Sequence, residues 1–180
     1  YALQSVTPTL PSEKVASYSF NGNGADDSGF GNHADVQSAV STTDRFGFGN
    51  SAILLNGTSS EVSASNAEQL NSDYTTVSFW VKVNTPPANG EAFLLSFGGW
   101  QDRWKISLPD HLKVVWTTNS VNGISDMDAG GGHELPVGKW THVVMTHDGA
   151  KDKIFINGAL AAEKNVTSAL NSTAKPLGIG

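Results

Sequence analysis

Apolar residues recur at every second position in short runs along this chain, and each run is closed by Gly, Asn, Asp or Pro. That pattern predicts many short antiparallel strands. Residues 15–20, 52–55, 61–64, 76–83, 92–97, 104–108, 113–118, 140–147 and 153–156 carry it. In 76–83 the alternation is regular: Val77, Phe79, Val81 and Val83 share one face, Thr76, Ser78, Trp80 and Lys82 the other. Helical spacing never persists beyond a couple of turns, and residues 67–70 are its best instance. Asn56-Gly57 and Asn157-Gly158 are dipeptides that tolerate the positive φ of a tight hairpin. Strands at this spacing with such turns predict an all-β fold, an antiparallel β-sandwich of jelly-roll type.

Composition narrows the function classes. The 180 residues are 38% hydrophobic and include no cysteine. One domain with its own core follows, while thiol catalysis, zinc ribbons and redox pairs are excluded. Eleven Lys and Arg against 17 Asp and Glu give a net charge of −6. No basic face for nucleic acid or an anionic membrane is expected from that balance. No run approaches the roughly 20 apolar residues of a membrane span, so no membrane insertion is expected. The cysteine-free, Asn/Gly/Ser/Thr-rich make-up matches exported bacterial proteins, which suggests an extracytoplasmic setting, secreted, periplasmic or at the cell surface.

Residues 1–14, with Pro8 and Pro11, read as an arm or linker, and 15–180 as the domain. The segment Pro176-Leu-Gly-Ile-Gly180 reads as the opening of a further strand. The expectation is therefore a domain truncated at its C-terminus, apparently lacking its final strand, whose open sheet a neighbouring domain or chain completes.

Candidate chemistry concentrates in 97–128. Gly98-Gly-Trp-Gln-Asp-Arg-Trp104 places Trp100, Gln101, Asp102, Arg103 and Trp104 in one turn, and Trp116, Asn119, Asp126 and Asp128 follow. Sugar recognition needs this mixture, an indole against the C–H face of a ring beside amides, carboxylates and guanidinium for the hydroxyls. Trp100 after two glycines is expected to be exposed; Trp104 and Trp116 stay open between core and binding face, and Trp80 and Trp140 are read as core. Asp126 and Asp128 share a strand face, but Ile124-Ser-Asp-Met-Asp128 lacks the paired glutamates of a glycosidase strand. His142 and His147 read as structural histidines. Residues 21–32 hold Asn21, Asn23, Asp26, Asp27, Ser28 and Asn32, oxygens that suit either Ca²⁺ or an Asx-turn loop.

Several pieces in this order resemble the laminin G-like jelly roll of the concanavalin A-like lectin/glucanase superfamily. They are Tyr18-Ser-Phe-Asn-Gly-Asn23, Asp27-Ser-Gly-Phe-Gly-Asn32, Thr43-Asp-Arg-Phe-Gly47, Ala52-Ile-Leu-Leu-Asn-Gly57, Val77-Ser-Phe-Trp-Val-Lys82, Gly138-Lys-Trp-Thr-His-Val-Val144 with His147-Asp-Gly149, and Ile154-Phe-Ile-Asn-Gly158. The resemblance implies a closing strand after Gly180 and a structural Ca²⁺ near Asn21, Asp27 and Gly57. It also implies a lectin-like, non-catalytic carbohydrate-binding module whose partner is a glycan or polysaccharide. A protein-interaction or adhesion module, and a glycoside hydrolase or polysaccharide lyase domain, are the alternatives on the same fold.

Overall fold

The computed structural model describes residues 14–88 and 90–180, so the arm, apart from Lys14, lies outside the described residues. Thirteen strands form the described fold. The first seven are β1 (Ala34–Gln37), β2 (Val40–Thr42), β3 (Ala52–Leu54), β4 (Glu61–Ala64), β5 (Thr75–Lys82), β6 (Glu91–Phe97) and β7 (Trp104–Pro109). They are followed by β8 (Val115–Ser120), β9 (Gly123–Asp128), β10 (Trp140–His147), β11 (Lys151–Ile156), β12 (Ala159–Asn165) and β13 (Leu177–Ile179). A single 3-10 turn, Glu68–Asn71, falls where the helical spacing was read, and a one-turn helix α1 (Gly99–Asp102) joins β6 to β7.

Three antiparallel sheets result. Seven strands run in the order β1-β4-β13-β6-β7-β8-β9, four in the order β12-β11-β10-β5, and β2 pairs with β3 alone. Period-2 burial decides which side chains fill the space between the two large sheets. Phe97, Trp104, Ile106, Leu108, Trp116 and Met127 point inward from one, and Val143, Met145, Ile154 and Ile156 from the other. Trp104 and Trp116 stack at 5.9 Å, with interplanar angle 11°, and Phe97 lies 6.1 Å from Trp104. One polar bridge crosses this apolar layer. The Thr118 hydroxyl of β8 donates to Asp152 of β11 (2.7 Å), and Asp152 bonds His147 Nδ1 of β10 (2.8 Å). His147 Nε2 lies 3.0 Å from the Ser168 carbonyl oxygen, so every member of the bridge is hydrogen-bonded.

Residues 15–20 form no ladder and are not a strand, because an extended segment becomes one only through paired backbone groups. Tyr18 nevertheless packs on the core and donates its hydroxyl to the Asn32 carbonyl (2.6 Å). The Asn56-Gly57 pair does not close a hairpin, since β3 pairs with β2 whereas β4 pairs with β1 and β13. The Asn56 side-chain oxygen instead accepts the N–H groups of Thr58, Ser59 and Ser60, which folds the link between sheets. Residues 177–179 are a strand as read, and β13 has a partner on each side, β4 and β6. The edge strands among the described residues are β1 and β9 in the seven-stranded sheet and β12 and β5 in the four-stranded one, so β13 is an inner strand.

The tryptophans reverse the expectation for Trp80 and Trp140. Their register partners are His142 and Lys82, and both indoles lie on the outer face of the four-stranded sheet. Trp80 is 42% exposed and Trp140 half-buried. The alternation of 76–83 already grouped Trp80 with Thr76, Ser78 and Lys82; the size of the indole outweighed that phase in the sequence reading.

Candidate functional site

Strand alternation also generates the outer face of the seven-stranded sheet. Because Phe97, Trp104, Trp116 and Met127 point inward, alternation puts Ser96, Lys105, Thr117 and Asp126 on the outer face, where Lys105 and Thr117 are nonetheless covered, at 7% and 1% exposure. Register aligns them: Ser96 opposes Lys105, Lys105 opposes Thr117, and Thr117 opposes Asp126. In the other direction Ser96 opposes Gly178, Gly178 opposes Ser63, and Ser63 opposes Asp35. One residue from each of the seven strands thus forms a transverse polar row. At about 4.8 Å between neighbouring strands it extends across roughly 30 Å.

Two shallow depressions lie along this row. One, of about 210 Å³, is lined by Glu91, Trp100, Lys105, Thr117, Ile124 and Asp126. The other, of about 230 Å³, is lined by Glu61, Ser96, Gly98, Gly99, Lys175, Pro176 and Gly178. Left-handed backbone at Gly98 and Gly99 (φ 72° and 68°) starts α1 and carries Trp100, 41% exposed, to the first depression. Gly98 has no room for a side chain: a Cβ there would sit 2.6 Å from the Thr173 hydroxyl oxygen.

Within the first depression the charged groups are fixed by one another. The Lys105 ammonium pairs with Glu91 and lies 4.7 Å over the Phe93 ring. Burial pushes the Glu91 carboxyl upward, but the Lys105 ammonium outweighs it and holds the group below its ordinary range. The Thr117 hydroxyl donates to Asp126 at 2.5 Å.

The sequence-derived candidates divide. Trp100 and Asp126 line this depression. Gln101 is exposed; its backbone oxygen accepts the Asn119 side-chain amide (2.6 Å), whose oxygen in turn accepts from Asn171. Asn119 therefore braces α1. Asp102 pairs with Lys175 at 2.8 Å, next to the second depression. Asp128 is exposed at the end of β9, on the same side as Asp126.

Arg103, Trp104 and Trp116 are corrections, with exposures of 0%, 4% and 0%. Arg103 donates to the carbonyls of Ser72, Leu170 and Asn171, which ties three segments together, and burial lowers the guanidinium pKa. Truncating an indole buried like Trp104 or Trp116 costs about 3–5 kcal/mol, so a Trp104→Ala variant reports on folding rather than on a ligand. Glu91, Lys105, Thr117 and Ile124 are not among the sequence-derived candidates. The signal for Lys105 was its place between Trp104 and Ile106 in an alternating strand; for Glu91 no local signal existed.

In residues 21–32 the chain itself engages much of the available oxygen. Asp26 is buried and accepts the N–H groups of Ser17, Ser28 and Asn32 and the Ser28 hydroxyl. Burial pushes its pKa up, yet these four hydrogen bonds prevail and draw it down to about 2. Asp27 bonds Ser19, Asn21 is exposed, and Gly57 sits at φ 73° in the Asn56-capped turn. Among the described residues no three His, Asp or Glu side chains converge; a Ca²⁺ site built from backbone and Asn carbonyls would not need them.

The fold is shared with solved structures. Domain 4 of AbnA, a GH43 extracellular arabinanase from Geobacillus stearothermophilus, in complex with arabinotriose, superposes with TM-score 0.69 at 20% identity, over 92% of this chain and 82% of that one. The binding domain of botulinum neurotoxin DC in complex with SialylT gives 0.71 at 17%, over 93% and 43%. The complex of the same toxin's binding domain with rat synaptotagmin II gives 0.70 at 16%, over 93% and 43%, so this chain spans less than half of the toxin chains. No curated protein matches the chain. Residues 56–180 match the laminin G model described as the concanavalin A-like lectin/glucanases superfamily, and the chain belongs to that family.

Proposed function

We propose that this chain is a non-catalytic carbohydrate-binding module of an extracytoplasmic protein, with its glycan laid across the outer face of the seven-stranded sheet. One observation carries the reading. The half-exposed Trp100 indole borders a polar depression in which Lys105, Glu91, Thr117 and Asp126 are mutually fixed. An indole offers a flat apolar surface to the C–H face of a sugar ring, and fixed polar groups give directional bonds to hydroxyls. The transverse row gives room for an extended oligomer rather than a single ring. The arabinotriose held by an arabinanase domain of the same fold supports this ligand class.

Hydrolysis fits the site less well. A glycosidase needs a carboxylic acid whose pKa is raised so that it can protonate the leaving oxygen. In this depression the Lys105 ammonium holds Glu91 below its ordinary range, the opposite direction. The chain has no described helix long and apolar enough to cross a membrane.

The test is titration with linear neutral oligosaccharides of increasing length, arabino-oligosaccharides among them. Affinity should rise with length, and Trp100→Ala should weaken it about tenfold, equivalent to about 1.4 kcal/mol. Gly178→Leu should shorten the preferred ligand, because it fills the middle of the row at a position whose φ is not left-handed. Unchanged affinity in both variants overturns the assignment. New reducing ends during incubation would replace it with an enzymatic reading.

A further inference from the structure

The opposite side of the sandwich presents a second, chemically different surface. On the outer face of the four-stranded sheet Trp80 opposes His142 and Lys82 opposes Trp140. The Trp80 and His142 rings stack at 5.1 Å, and the His142 Nε2 lies 2.9 Å from the Ser78 hydroxyl. The link from β2 to β3 reaches over this sheet. Asp44 shapes it by accepting the backbone N–H groups of Phe46 and Phe48, both at 2.9 Å. That turn places the Arg45 guanidinium 4.2 Å from the Phe46 ring centre and 4.7 Å from that of Trp80. Beside it the Lys82 ammonium lies 5.5 Å over Trp140.

A guanidinium held against two rings has spent its faces but not its edge. Its N–H donors lie in the plane, and the fork they form matches a carboxylate or a sulfate. Neither Arg45 nor Lys82 enters an ion pair among the described residues, although acidic side chains outnumber basic ones, 17 to 11, in the chain. Aromatic contacts therefore fix two cations in place without neutralising either. Phe46 lies against the guanidinium and, like Phe48, is 67% exposed. On a chain of net charge −6, two fixed cations bordered by rings suit a flat ring carrying an anionic substituent better than an anionic lipid surface.

We propose that Arg45, Lys82, Trp80 and His142 form a second binding site, for the oxyanion group of an acidic glycan, a uronate carboxylate or a sulfate ester. Arg45 takes the oxyanion in its fork, Lys82 adds the second charge, and Trp80, Trp140 and Phe46 border the sugar ring. This site is independent of the Trp100 depression and differs from it in salt response. Two exposed cations are screened as the Debye length falls from about 10 Å at 0.1 M to about 3 Å at 1 M salt.

The experiment is binding of the whole chain to polygalacturonate, dextran sulfate, unmodified dextran and phosphatidylserine vesicles, at low and high NaCl. Binding to one or both acidic polymers, lost at high salt and absent for dextran, is expected; which polymer binds identifies the anion. Arg45→Gln should weaken it about tenfold, the scale of one lost charge-assisted hydrogen-bond pair. Lys82→Gln should weaken it less, and Trp100→Ala should leave it unchanged. Thermal melts of each variant separate lost binding from lost fold. Equal binding by well-folded Arg45→Gln, binding to vesicles only, or no binding to either acidic polymer overturns the proposal.

Discussion

Asp26 illustrates how a buried carboxylate becomes a structural knot. Its two oxygens already accept four hydrogen bonds, which anchor Ser17, Ser28 and Asn32 around a buried charge. With its pKa drawn down to about 2, the group favours the folded state at every pH above the ordinary carboxylate value near 4. That contribution fades as pH falls from about 4 towards 2, when the folded protein must also take up the proton. Asp26→Asn should therefore lower the melting temperature at pH 7, and the gap to the parent protein should close across that acid window. A gap that stays constant down to pH 2 would exclude the mechanism. Oxygen count alone could not distinguish the two readings of this loop, because donors and cations compete for the same lone pairs.

Among the elements, legibility followed local patterning. The phase of β5, β7, β8, β10 and β11 was readable from alternation, and the β11–β12 hairpin from Asn157-Gly158. Both turn residues have positive φ, 49° and 83°, as a two-residue hairpin with the right twist requires. Nothing lies within 4 Å of a Cβ added at Gly158, so Gly158→Ala isolates the backbone effect and should cost about 1 kcal/mol in urea unfolding. The strand β12 itself was invisible: Ala-Leu-Ala-Ala-Glu-Lys-Asn has weak β propensity and is extended because β11 provides its hydrogen bonds. Residues 15–20 fail in the opposite sense, with a strand pattern and no ladder. The transverse row was unreadable for the same reason, since it joins Asp35 to Asp126 through strand order rather than sequence proximity. Trp100 and Asp126 could be found locally; Glu91 and Gly178 needed the register.

For the whole molecule, the polar bridge between the sheets matters more than its size suggests. Apolar packing alone tolerates several alignments, whereas Thr118, Asp152 and His147 bond in one. Thr118→Val preserves shape and adds apolar surface, yet it leaves a buried Asp152 oxygen without its donor. The expected outcome is a loss of about 1–3 kcal/mol by denaturant titration, not a gain. A neutral or stabilising result would show the bridge to be dispensable.

The seven-strand row also has a handedness. Neighbouring strands in a sheet rotate by about 20–25°, so six successive steps turn the surface through more than a right angle from β1 to β9. A flat, ribbon-like crystalline polysaccharide can lie against only two or three strands of such a floor. A chain that keeps contact from Asp35 to Asp126 has to wind with it, which makes the preferred curvature of the ligand a property of sheet twist rather than of any side chain.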